Sequence, residues 1–203
     1  MCCIIELQSW CSSCHLQLNV TKTELIWFGS CTTLRRGLLN GPSLTTGFAV
    51  IQAINIIRYL GVLLDRELTI KQHDNHVTSI CFYHIRQLRQ LRRLVSQAAM
   101  KQLMSAVILS RLDYCNSVLA RLPLSTLAPL QRAQNATTRI ILGLSPRDHV
   151  RPALRELHWL PIIYHIKFKI FLLMYLADMH WCPLYMSQTL SSVSNNPFSQ
   201  WLR

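Results

Sequence analysis

The residues predict an α+β chain that is predominantly α-helical, with a small antiparallel sheet in its first third and a succession of helices after it. Three observations carry this expectation. Short apolar runs bounded or broken by turn residues fill the stretch before residue 70, as in "TELIWFG", "FAVIQAI" and "IRYLGVLLD", the pattern of strands closed by turns. From Lys71 the period changes, and Val77, Ile80, Cys81, His84, Leu88 and Leu91 recur at three- and four-residue steps, the stripe of an amphipathic helix. Half of the 203 residues are apolar, enough for one sizeable core or two small domains that share an interface.

Taken in order, residues 2–15 include the end of a helix, and Thr23 to Gly29 forms a strand stopped by glycine. "RRGLLNGPSLTTG" is dense in turn residues. Two further strand-like runs follow, and Gly61 inside the second marks a tight bend or a close backbone approach. After the long helix from Lys71, Ser96 stands as an N-cap before "QAAMKQLMSAVILSRL", and Ser125 does the same before "TLAPLQRAQNATTRIIL", which Gly143 closes. Pro152 sits near the start of "RPALRELHWL", where its missing N–H costs little. A last amphipathic helix runs from about Ile162 to Met179. The organisation expected is 1–70, 71–186 and a loosely ordered tail over 187–203.

Twenty-one Lys and Arg against nine Asp and Glu give a net charge of +12, a surplus that attracts nucleic acid or anionic lipid. The surplus is unevenly placed: residues 1–70 hold five basic and four acidic residues, and residues 71–203 hold sixteen and five. The most apolar window, "IFLLMYLADM", is cut by Lys167 and Lys169 on one side and Asp178 on the other, so no membrane span is expected. "MCCIIELQSW" has no basic n-region and carries Glu6 in its short apolar part, which points to an intracellular protein, cytoplasmic or nuclear, and not a secreted one.

Eight cysteines scattered through these patterns read as buried free thiols of a reducing compartment. Cys11, Cys14 and His15 match C-x-x-C-H, the haem-attachment spacing, and with Cys31 they also offer a zinc set. Neither has supporting context, because short matches arise readily in a cysteine-rich chain. His73 and His76 lie one helical turn apart and read as a partly exposed helix start. Asp65 and Glu67 share one face if their strand continues, but solvent-facing strand ends account for them better than a two-metal site. No Gly-rich phosphate loop, G-x-S-x-G elbow or H-E-x-x-H helix is present in the sequence.

Arg86, Arg89, Arg92, Arg93 and Lys101 are the informative group. They occupy a stretch with no acidic residue between Asp74 and Asp113, and their spacing puts most of them on one helical flank, an arrangement suited to phosphate backbone.

"WCSSCHLQLNVTKTELIWFGS" resembles the region just after the catalytic aspartates in reverse transcriptases of non-LTR retrotransposons, of the LINE and jockey-type groups. Leu16, Leu18, Asn19, Lys22, Thr23, Glu24, Phe28, Gly29 and Ser30 stand at the matching positions. "YLGVLLDREL" resembles the primer-grip strand pair, "SRLDYCNSVLARLP" and "LQRAQNATTRIILG" the thumb helices, and "LRELHWLPIIYHIKFKIFLLMYLA" with "CPLYM" the segments that follow. The likeness covers about residues 7–190.

The resemblance implies a palm-type sheet in 1–70 and a helical, thumb-like bundle in 71–186. It implies that Lys22 acts near the leaving pyrophosphate, that Asn19 helps fix its loop, and that Leu60 and Gly61 form the primer-grip turn. The helix from Arg86 to Arg93 would face an RNA or DNA template–primer duplex. Asp113, Tyr114, Asn116, Gln134, Asn135, Arg139, His158 and Trp159 match motif positions for which packing and helix-junction roles are expected. The family uses Mg2+, held by aspartates that lie upstream of the matched region, so no catalytic site is intact here and no bound cofactor is expected. The functional expectation is therefore a truncated polymerase fragment, inactive in primer extension, with residual sequence-independent nucleic-acid binding. The alternative is a vestige or a helical protein-interaction module without that function. Self-association through an uncovered palm surface is the other partner expectation.

Overall fold

The computed structural model describes residues 2–17, 19–37, 43–46 and 49–188. Backbone contacts divide the chain into two units, Met1–His76 and Val77–Arg203. The class is the one expected, α+β with helix predominant.

Met1–His76 opens with helix α1 (Cys2–Ser13), a 3-10 turn (Val20–Lys22) and helix α2 (Cys31–Gly37). Strands β1 (Ser43–Thr46) and β2 (Ala49–Gln52) form one antiparallel hairpin, with Ser43 opposite Gln52. Strands β3 (Ile56–Tyr59) and β4 (Val62–Asp65) form a second, with Tyr59 opposite Val62. The antiparallel part is thus two two-stranded sheets. Leu60 and Gly61 make the two-residue turn of the second hairpin at φ 46° and 84°, the left-handed pair that matches strand twist.

Two local expectations are corrected here. Thr23 to Gly29 is extended chain with a single parallel bridge, Leu25 to Ala53. Its backbone bonds are Ile54 N–H to the Leu25 carbonyl at 2.8 Å and Gly29 N–H to the Arg66 carbonyl at 3.0 Å. Arg35 to Gly37, read as turn, closes α2, whose start is capped by Ser30 Oγ accepting from Thr33 N–H at 3.3 Å. The run 57–65 is two strands around its bend. Leu18 and residues 38–42 and 47–48 lie outside the described residues.

Helix α3 (Lys71–Leu91) begins where the sequence period changes. In Val77–Arg203 it is followed by α4 (Gln97–Met104), a π-helical stretch (Ser105–Leu109), α5 (Ser110–Asp113), a 3-10 turn (Asn116–Leu119), α6 (Leu124–Leu142), α7 (Val150–Glu156), α8 (Ile162–Asp178) and α9 (Leu184–Ser187). Ser96 caps α4, its side chain accepting from Ala99 N–H at 3.2 Å. The cap expected at Ser125 falls instead at Pro123, two residues earlier, since proline presets an extended entry and the helix then runs from Leu124. Gly143 closes α6 at φ 71°, with Leu144 N–H reaching back to the Arg139 carbonyl at 3.0 Å. Of the tail expected over 187–203, Ser187 ends α9 and residues 189–203 lie outside the described residues.

The π-helical stretch has a packing reason. Met100, Met104, Ile108 and Leu112 are all buried at a strict four-residue spacing, which in a regular helix drifts by about 40° per step. One wider turn absorbs part of the drift and keeps the four on one face. They join Leu127, Leu130 and Ile141 of α6 and Ile162 and Ile166 of α8 among the buried apolar residues of this unit. Gln134, fully buried, donates to the Leu160 carbonyl at 2.7 Å, and Gln131 accepts from Ile162 N–H at 2.9 Å. These bonds tie α6 to the chain entering α8.

Candidate nucleic-acid interface

Within Val77–Arg203, Arg86 and Arg89 lie exposed on the last two turns of α3. At 100° per residue they share a flank. The helix stops at Leu91, so Arg92 and Arg93 belong to the turn that follows it and not to the helix the sequence pattern extended through them. Leu94 N–H and Val95 N–H bond back to the Leu91 carbonyl at 2.9 and 3.2 Å, ending the helix before Ser96 starts the next. Arg93 is exposed. Arg92 is turned onto the end of α6: its Cζ lies 3.2 Å from where a Cβ on Gly143 would stand. A guanidinium there meets the negative end of the helix dipole. Lys101 is half-buried on α4. The five cations therefore form a loose group on three elements, in which Arg92, itself exposed, lies close to the end of α6.

Other cations of this unit are partly tied. Arg111 on α5 approaches His84 Nε2 at 3.4 Å, and Arg139 donates to the Asp148 carbonyl at 3.5 Å. Sequence pattern did not single out the Arg111–His84 contact, whose members stand 27 residues apart. Among the described residues the one ion pair is His165 Nδ1 to Asp113 Oδ1 at 3.0 Å. Asp113 also accepts from Asn116 Nδ2 at 3.1 Å, so this carboxylate serves a helix junction. No carboxylate pairs with Arg86, Arg89 or Arg93 among the described residues.

The remaining expected residues belong to Met1–His76. Asn19 Oδ1 accepts from Thr21 N–H at 3.0 Å, Thr21 Oγ1 at 2.6 Å and Lys22 N–H at 3.3 Å, which caps the 3-10 turn and places Lys22 at its end, exposed. Leu60 and Gly61 are exposed at the hairpin tip.

The Asp65 carboxylate is taken up by bonds to its own loop. Asp65 accepts from Thr69 N–H, Thr69 Oγ1 and Ile70 N–H at 3.2, 2.9 and 2.9 Å. Burial alone would raise its pKa, but these hydrogen bonds outweigh burial and hold it below the ordinary value. Asp65, Arg66 and Glu67 instead border an open cleft of about 440 Å³. His73 is buried with Nδ1 3.4 Å from Leu63 N–H; burial, then the neighbouring His76, push its pKa down. Asp74 is 2% exposed, neither oxygen has a hydrogen-bond partner, and burial pushes its pKa up to about 6. Sequence gave no sign of this orphan carboxylate. Cys11 is buried while Cys14 and Cys31 are exposed, and no group of three or more His, Cys, Asp or Glu converges on a metal position among the described residues. Among them, too, no helix is long and apolar enough to cross a membrane.

Comparison with protein-family models, with curated proteins and with solved structures finds no match to this chain.

Proposed function

We propose that the chain is a reverse-transcriptase-like fragment of non-LTR retrotransposon type that binds the sugar–phosphate backbone of nucleic acid without reading sequence. The observation that supports this reading is the acid-free cationic surface formed by Arg86 and Arg89 on α3 and Arg93 in the turn beyond it. Exposed guanidiniums with no competing carboxylate attract phosphate and release counterions when they meet it. Lys101 adds a fourth charge at partial exposure. Arg92, whose guanidinium lies against the end of α6, is left out of this count.

A labelled RNA–DNA hybrid titrated by fluorescence anisotropy tests the proposal. Four phosphate contacts predict an affinity loss of roughly 10²-fold between 50 and 200 mM salt. The double variant R86E/R89E should weaken binding to hybrids of every sequence alike and lower the logarithmic salt slope by about 2. Salt-independent binding, or an unchanged slope in the double variant, would refute the reading.

A further inference from the structure

Helix α8 buries one side and leaves the other bare. Ile162, Ile166 and Ala177 are buried, while Tyr164, Phe168, Phe171, Tyr175 and Met179 are 54, 59, 65, 51 and 45% exposed. Their steps of four and three residues set them in one stripe along a helix about 25 Å long. Taken with the flanking Leu172, six side chains of roughly 200 Å² each at about half exposure leave on the order of 600 Å² bare, approaching the roughly 800 Å² per partner of a standard interface.

From this face we infer that two copies of the chain associate through α8 in antiparallel orientation. Charge placement selects this occupant. Lys167 and Asp178 are both exposed and stand eleven residues apart, about three turns, so they lie on the same flank of the stripe. An antiparallel two-fold pairing brings like flanks together. With its axis between Leu172 and Leu173, Lys167 of each copy meets Asp178 of the other. Trp181 is 73% exposed and packs edge-on against Tyr175, with ring centres 6.5 Å apart. A parallel two-fold pairing would set this flank against the opposite one, which carries Leu172 and Met179, and the Lys167–Asp178 pairs would not form. The face is separate from the palm surface for which self-association was expected, and the inference is independent of nucleic-acid binding.

Sedimentation equilibrium on the full chain at tens of micromolar concentration tests it. The chain should be dimeric, and F171E should be monomeric with an unchanged far-UV circular dichroism spectrum. K167E should weaken the dimer about tenfold, since two attractions become two repulsions, even though it lowers the net charge that drives copies apart. K167E/D178K, which keeps the net charge of the parent, should restore the dimer. A monomer throughout, a dimer indifferent to K167E, or a double variant that fails to recover would each overturn the inference. So would a monomer that binds anionic phospholipid vesicles through Phe171, the outcome expected if the face served a membrane surface instead.

Discussion

Replacing Asp74 with asparagine removes a charge that the fold holds in the first turns of α3 with no hydrogen-bond partner on either oxygen. Burial lifts this carboxyl from an ordinary value near 4 to about 6. A folded-state pKa above the unfolded one means the folded chain binds the proton more tightly, so the associated stability is fully present below about pH 4 and lost as pH rises through 6. Two units at about 1.4 kcal/mol each make that loss about 3 kcal/mol, and relaxation around the charge brings the expected gain from Asp74→Asn to about 1–3 kcal/mol at pH 7.5. His73 runs the other way: its lowered pKa gives stability that is present above about 6.5 and lost as pH falls. The informative quantity is therefore the difference between variant and parent at each pH, from urea unfolding followed by circular dichroism. That difference should be large at pH 7.5 and near zero at pH 4. A pH-independent difference, or destabilisation at pH 7.5, would refute the reasoning.

Gly143→Ala is expected to cost about 1–2 kcal/mol in thermal unfolding, because it puts a side chain at positive φ and against the Arg92 guanidinium; a neutral effect would contradict the capping contact. Leu60→Asn should stabilise the chain by about 0.5–1 kcal/mol, since asparagine accepts the left-handed first position of the Leu60–Gly61 turn that leucine resists. In a thiol-reagent time course Cys14 and Cys31, both exposed, should react ahead of the buried Cys11 and Cys81. Cys81 should react last, because it is fully buried and burial, opposed by Arg111, pushes its pKa up to about 11.

The helical part was legible wherever one periodic face decides structure. The start of α3 at Lys71, α8 from Ile162, the Ser96 cap and the Gly143 cap follow from spacing and cap chemistry alone. What escaped depends on partners remote in sequence. Thr23 to Gly29 has strand composition, yet only Leu25 finds a bridge. Pro123 displaced the cap read at Ser125, because a residue that presets the entry conformation competes with one that merely offers an oxygen. The cationic group was legible from its lack of acidic neighbours, but Arg92 left it because Gly143, fifty-one residues on, offers a helix end with no side chain in the way. Asp74 gave no signal at all, since an acidic residue in a first helical turn is ordinary and only tertiary burial makes it costly.

His180, directly after α8, sits at φ 56°, a backbone region that a side chain makes unfavourable. That turn lets Trp181 N–H reach the Leu176 carbonyl at 2.9 Å and swings the indole back over Tyr175. The most exposed aromatic ring beside the bare face of α8 is thus aimed by the handedness of one residue outside the stripe. A β-branched residue at 180 would leave every stripe side chain in place and still send Trp181 elsewhere, so recognition by this face depends on backbone chirality as well as on surface chemistry.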